Sequence, residues 1–458
     1  MMAIGQFCMF LSSSYYQNHS LSITLMMLGL TTLIFGNGFF KPNISTMVGQ
    51  LYDQTDSRKD SAYTIFYMGI NLGAFFSPLV CGGLGDTGNP ADFKWGFLAA
   101  CIGMIISIIT FELLKNKYLN TPGGEPIGTV ANAKRLPDAA ATGAVGDREA
   151  VNTNVLPDLA QTPAKKSNSG IITAAILILA VVGLKMFMFT GGESGSTGQV
   201  LTITLINNWI TAGILCATVI IPASIIMDKS LTKVEKERIG VIYIAAFFVI
   251  FFWAAFEQAG ASLTFFADEQ TNRVIGGWEM PASWFSSFNA IFIVILAPVS
   301  SLIWSALRKK GNEPSSPTKQ AFGLFFLSLG YLVIALGVRD VAPGVKVSFF
   351  WLTTLYLLHT IGELCLSPIG LSMVNKLAPV RFASLLMGVW FLSTAAANNF
   401  AGVLSSLYPS DGKATVFLGY HMNNLYDFFI LFVIMSAVAA LMLFFLTKKL
   451  QKMMHGVD

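Results

Sequence analysis

The chain has 458 residues, 54% of them hydrophobic and 12% charged, with a mean hydropathy of +0.62, whereas soluble domains carry about 25% charged residues. That balance excludes a soluble globular protein, and a formal charge of only +4, sorted by position and not gathered into a patch, excludes a nucleic-acid partner. The five cysteines (Cys8, Cys81, Cys101, Cys216, Cys365) lie in apolar stretches without metal-ligand spacing and read as packing residues.

Apolar runs of about 20 residues, the length that crosses a ~30 Å hydrocarbon layer, recur along the whole chain. Residues 1 to 12 are apolar but short and lack a basic leader, so they read as a span entered partway along and not as a signal peptide. Further spans are predicted at 21–50, 61–84, 95–115, 170–190 and 199–227. A second set is predicted at 239–266, 283–307, 320–338, 347–376, 382–407 and 422–447, giving twelve with the first one partial. The fold class is therefore an all-α polytopic membrane protein.

Lys and Arg cluster in cytoplasmic loops. Of the 29 in this chain, 22 fall in 52–60, 115–169, 228–238, 308–319, the 376–381 turn and the C-terminal residues, which places these segments and the C-terminus in the cytoplasm. The exceptions are Lys41, Lys94, Lys185, Arg273, Arg339, Lys346 and Lys413. Residues 116–169, rich in Gly, Pro, Ala, Thr and Asn without helical periodicity, read as a flexible cytoplasmic linker between two hydrophobic halves.

Ionisable residues inside spans cost about 2.5–3.5 kcal/mol on insertion scales and usually face a cavity or a partner. Four qualify: Lys41, Lys185, Glu257 and Glu363. Lys185, beside GGESGSTG, can extend its ammonium to the interface. Lys41 stands in GNGFFKPN, where Pro42 removes a helical hydrogen bond; the alternative is a lysine reaching water from a helix end. Glu257 in FFWAAFEQAGASL has Gln258 beside it and could also serve as polar glue between helices. Glu363 in LLHTIGELCLSPIG follows His359 by one turn on the same face.

A carboxylate in a low-dielectric cavity loads and unloads protons nearer neutral pH than one in water. Ionised, it also pairs with the ammonium of a zwitterion, while a lysine across the cavity holds the opposite end. Asn71 and Asn289 are further polar groups at membrane depth, each readable as helix glue or as a ligand. Trp390 and Tyr67 could stack on a substrate side chain or simply pack.

Six motifs carry a resemblance to a known family. They are GNGFFKPNIS (36–45), FYMGINLGAFFSP (66–78), FWAAFEQAGASL, WFSSFNAIFIVILAP, GELCLSPIGLSMVNKLAP and MGVWFLSTAAANN. Together they resemble the fourth, fifth, seventh, eighth, tenth and eleventh helices of the proton-dependent oligopeptide transporters of the major facilitator superfamily. The resemblance implies substrate binding by Asn71, Glu257, Asn289, Glu363, Trp390 and Thr394, and proton coupling by Lys41, Glu257 and Glu363. It implies no catalytic residue, no metal and no cofactor.

By the same resemblance, residues 1–115 form a partial N-terminal bundle equivalent to helices 3–6 of the family. Residues 116–169 are the linker, 170–227 an extra transmembrane pair, and 228–458 the C-terminal six-helix bundle, helices 7–12. The family's first-helix Glu-x-x-Glu-Arg motif is not in the sequence, so the first two helices are expected to be missing.

The function expected is proton-coupled symport of di- and tripeptides across the bacterial cytoplasmic (inner) membrane by alternating access, with peptides, protons and the lipid bilayer as partners of a monomer. Two alternatives stand beside it: transport of another small zwitterionic or anionic solute, and a truncated non-transporting sensor. An intramembrane enzyme is disfavoured, since neither HExxH nor GxSxG occurs.

Overall fold

The computed structural model describes residues 1–51, 58–120, 124, 127, 198–228, 231–341, 345–379, 382–409, 414–417 and 419–456. Four helices open the chain: α1 (Met2–Ser14), α2 (His19–Gln50), α3 (Arg58–Gly85) and α4 (Phe93–Tyr118). After these come α5 (Gly198–Ile226), α6 (Lys233–Phe256) and the short α7 (Ser262–Glu269). The series ends with α8 (Phe285–Lys309), α9 (Ser316–Val338), α10 (Phe349–Leu377), α11 (Ala383–Ser405) and α12 (Leu425–Met454). Among the described residues, eight helical segments are long and apolar enough to cross a membrane. The linker expected at 116–169 and the span at 170–190, with Lys185, lie almost wholly outside the described residues.

Most predicted spans agree with these helices to within a few residues. The exception is 239–266, which is not one helix: α6 stops at Phe256, a 3₁₀ turn runs over Glu257–Gly260, and α7 resumes at Ser262. Three small strand pairs also interrupt an otherwise helical chain. Thr271–Asn272 pairs in parallel with Val347–Ser348, and Val274–Ile275 and Thr415–Phe417 pair antiparallel with Trp278–Glu279 and Tyr420–Met422. The first antiparallel turn uses Gly276 and Gly277, both at positive φ (61° and 86°), which a two-residue hairpin of this hand requires.

Local chemistry sets several helix ends. Thr232 and Glu235 form a reciprocal capping box at the start of α6. Asn424 accepts from Asp427 N at the start of α12, and left-handed His455 with Gly456 ends that helix.

The chain divides into two compact units. The first comprises Met1–Gly143, Ala259–Asn312 and Leu332–Ile361. Within it, Gly5 and Gly36 of α1 and α2 let Leu33 and Met2 approach closely, and Cys101 Sγ of α4 donates to Ala3 O at 3.3 Å. Helix α3 meets α8 through Ser287 Oγ, which donates to Phe75 O at 2.9 Å, and through Ser283 N, which donates to Asp86 Oδ2 at 3.2 Å. Gly82 sits directly against Ser283 there, leaving no room for a side chain.

The segment after α7 is held by Arg273. Its guanidinium is buried, donates to Met280 O at 2.6 Å, and pairs with Asp268 at 2.7 Å and Glu279 at 3.1 Å. Lys346 reaches the same Glu279 at 3.8 Å.

The second unit comprises Ala144–Gln258, Glu313–Tyr331 and Gly362–Asp458. Phe252 of α6, Leu324 and Tyr331 of α9, and Phe428, Phe429 and Phe432 of α12 are among its fully buried large side chains. Helices α9 and α10 touch backbone to backbone, since a Cβ on Gly323 would stand 2.9 Å from Gly362 O and one on Gly362 would stand 2.7 Å from Gly323 O. Helix α5 joins α11 through Thr211 and Asn399, whose side chains bond at 3.0 Å. Lys319, expected in a cytoplasmic loop, lies in the first turn of α9 and is buried in an ion pair with Glu313 at 2.6 Å. Large apolar side chains such as Ile34, Leu113 and Phe445 are uncovered, as hydrocarbon-facing surfaces are.

Candidate functional site

The break after α6 is the feature on which the site is built. The last carbonyls of a helix have no intrahelical donor. Here two of them take side-chain donors. Gln258, fully buried, turns its Nε2 back to Ala254 O at 3.1 Å and across to Ala401 O of α11 at 3.0 Å. Tyr331, also fully buried, donates its hydroxyl to Ala255 O at 2.6 Å while its ring stacks on Phe432, centroids 4.7 Å apart. Glu257 opens the 3₁₀ turn and is exposed, although it stands at the middle of a hydrophobic segment running from Lys233 to Glu269.

Glu363 is buried on α10, immediately after the close approach at Gly362, where Phe252 of α6 also touches. Trp390 is buried with its indole lying on Gly370 of α10, a contact that any side chain at 370 would prevent. Thr394, one turn further along α11, is half-buried.

In the first unit, Asn289 Nδ2 donates to Thr360 Oγ1 at 3.0 Å, and Thr360 in turn donates to Tyr356 O at 2.7 Å. The amide is thereby fixed between α8 and α10. His359, next to Thr360, is buried. Asn71 on α3 is buried although its neighbours Ile70 and Leu72 are each 52% exposed, so this one side chain turns inward from a lipid-facing stretch. Helix α2 runs through Lys41, but the side chains of Lys41 and Tyr67 lie outside the described residues.

Sequence reasoning did not single out Thr360, Tyr331 or Ser287. Thr360 carries a signal, a hydroxyl three residues before an intramembrane carboxylate; Tyr331 carries none, because its partner is distant in the chain.

Carboxylates and amides held at membrane depth by helix breaks and interhelical hydrogen bonds define a class: a polytopic solute carrier of the secondary-transporter type. The sequence profile described as PTR2, POT family, matches residues 1–417. The chain belongs to the POT family, whose members are membrane transporters and not enzymes.

Its relatives are consistent. It is 33% identical over 382 residues to the uncharacterized transporter YclF of Bacillus subtilis, covering 83% of this chain and 68% of that one. It is 33% identical over 389 residues to the peptide transporter YePEPT of Yersinia enterocolitica, covering 84% and 69%. A crystal structure of a peptide transporter in complex with alafosfalin superposes with a TM-score of 0.69 at 27% identity, over 99% of this chain and 80% of the other. A POT family transporter in complex with 5-aminolevulinic acid superposes with a TM-score of 0.70 at 25% identity, over 98% and 81%.

Proposed function

We propose that this protein couples proton entry to the uptake of di- and tripeptides across the bacterial cytoplasmic membrane, acting as a monomer with its C-terminus in the cytoplasm and working by alternating access. The observation that carries the reading is the pair of membrane-depth carboxylates, Glu257 on a broken helix and Glu363 buried on α10. Each can carry a proton, and when ionised Glu363 matches the ammonium of a peptide amino terminus. Asn71, Asn289, Trp390 and Thr394 line the substrate's path, and Lys41 works with the carboxylates in coupling. A membrane potential of ~100 mV contributes about 2.3 kcal/mol for each charge carried inward, enough to concentrate a solute about fiftyfold.

The domain organisation proposed is a helical bundle over 1–115, a cytoplasmic linker over 116–169, an extra helix pair over 170–227 and a six-helix bundle over 228–458. A second reading, carriage of another small zwitterion, is favoured by the likeness to the transporter that holds 5-aminolevulinic acid. That ligand also presents an amine and a carboxylate.

Uptake of a labelled dipeptide into proteoliposomes under an imposed proton gradient tests both. Gradient-driven dipeptide accumulation that Glu363→Gln abolishes supports the first reading. Accumulation of 5-aminolevulinic acid without any of dipeptide supports the second.

A further inference from the structure

We infer that Gln258 and Tyr331 are positioning residues for Glu257: they hold the α6 break open, and through it they set where and in what protonation state the carboxylate stands. This rests on the proposed coupling role of Glu257 and adds two residues to it.

A helix rewinds across a short interruption unless something else satisfies its terminal carbonyls. Ala254 O and Ala255 O, both in the last turn of α6, take side-chain donors, Gln258 Nε2 and Tyr331 Oη, while the backbone N–H of Glu257 donates to Trp253 O and Ala255 O. The second bond of Gln258, to Ala401 O, fastens the turn to α11. Neither donor is reachable by bulk water, for both residues are fully buried. Removing either donor takes a side-chain hydrogen bond away from a buried carbonyl. The chain's cheapest remedy is to extend the α-helical ladder past Glu257, which re-aims Gln258 and the residues after it and so changes the surroundings of the Glu257 carboxylate.

Helix α11 contains no ionisable group, α9 carries Lys319 in its first turn and Tyr331 at this level, and α10 carries Tyr356, His359, Glu363, Cys365 and Lys376. Helix α12 carries Tyr426 and Asp427 near its start and Lys448, Lys449 and Lys452 near its end; α5 carries only Cys216. Apart from the Tyr331 hydroxyl itself, wild type and variants share all of these groups, so a change in the titration of Glu257 reports on the turn.

Tyr331→Phe keeps the ring that stacks on Phe432 and removes only the hydroxyl; Gln258→Met keeps the volume and removes only the donor. The protonation of Glu257 is read in the full-length protein from its carboxyl stretch in pH-difference infrared spectra, assigned with Glu257→Gln. In parallel, proton-driven dipeptide uptake is compared with dipeptide exchange in the absence of a gradient.

The expected result is a displaced Glu257 titration in both variants. Driven uptake falls about tenfold while exchange is retained, as the loss of one buried hydrogen bond predicts. A Glu257 titration unchanged in both variants overturns the inference, whatever transport does. A wild-type protein that fails to take up dipeptide counts against the parent reading alone, because the infrared titration still decides the positioning role.

Discussion

Thr360 is a residue with two jobs, accepting from Asn289 and donating to Tyr356 O. Replacing it with Val removes both bonds and takes from Asn289 the hydroxyl that holds its amide to α10. A net loss of about 1–1.5 kcal/mol in substrate positioning follows, or roughly a tenfold rise in the KM for dipeptide uptake, while Thr360→Ser stays near wild type. Equal KM values for the Val and Ser variants would show that Asn289 does not depend on this hydroxyl. Asn289 was legible in the sequence because an amide in a span is uncommon. Thr360 was not, since hydroxyl residues in helices routinely bond the carbonyl four residues back and pass as structural. Trp390 was readable either as a stacking surface or as packing, and its buried place on Gly370 depends on two helices whose pairing no single sequence reveals.

Among the elements, α9 and α10 meet backbone to backbone in the second unit, a contact that exists because residues 323 and 362 are both glycine. Small residues are how helices approach where there is no water to drive them together. Gly323→Ala places a methyl 2.9 Å from Gly362 O, so the helices must separate. Overpacking of this kind costs about 1–3 kcal/mol. The variant is expected to lose its monodisperse elution at a lower temperature than wild type when heated in detergent; an unchanged transition would mean that the two helices part freely.

The helices themselves were readable from hydrophobic length, with ends good to a few residues. The break at Glu257–Gly260 was not readable, because the Glu257–Gln258 pair in FFWAAFEQAGASL reads equally well as polar residues within one continuous helix. What opens it is side-chain donation from Gln258 and a tyrosine some seventy residues downstream, and periodicity cannot register a partner so far away in sequence.

At the scale of the whole chain, charge distribution was the most informative property, since 22 of 29 basic residues fall in alternate connections. The topology it implies can be checked without removing native thiols first, because Cys8, Cys101, Cys216 and Cys365 are buried and Cys81 is partly so. A Trp278→Cys variant, at an exposed hairpin position, is expected to react with a membrane-impermeant maleimide in intact cells. Lys452→Cys near the end of α12 is expected to react only after permeabilisation. The opposite pattern would invert the assignment. Substrate chemistry was less legible, for it depends on which side chains share a cavity, and the motifs gave that by resemblance alone.

Arg273 has one more consequence. With its guanidinium buried among Asp268, Glu279 and Met280 O, the hairpin Val274–Ile275 and Trp278–Glu279 has a fixed shape, and Lys346 is drawn to it from a connection far along the chain. An antibody raised against the folded protein and directed at this surface is expected to read a discontinuous epitope. It should bind intact cells, stay silent on a denaturing blot, and lose its target in Arg273→Ala.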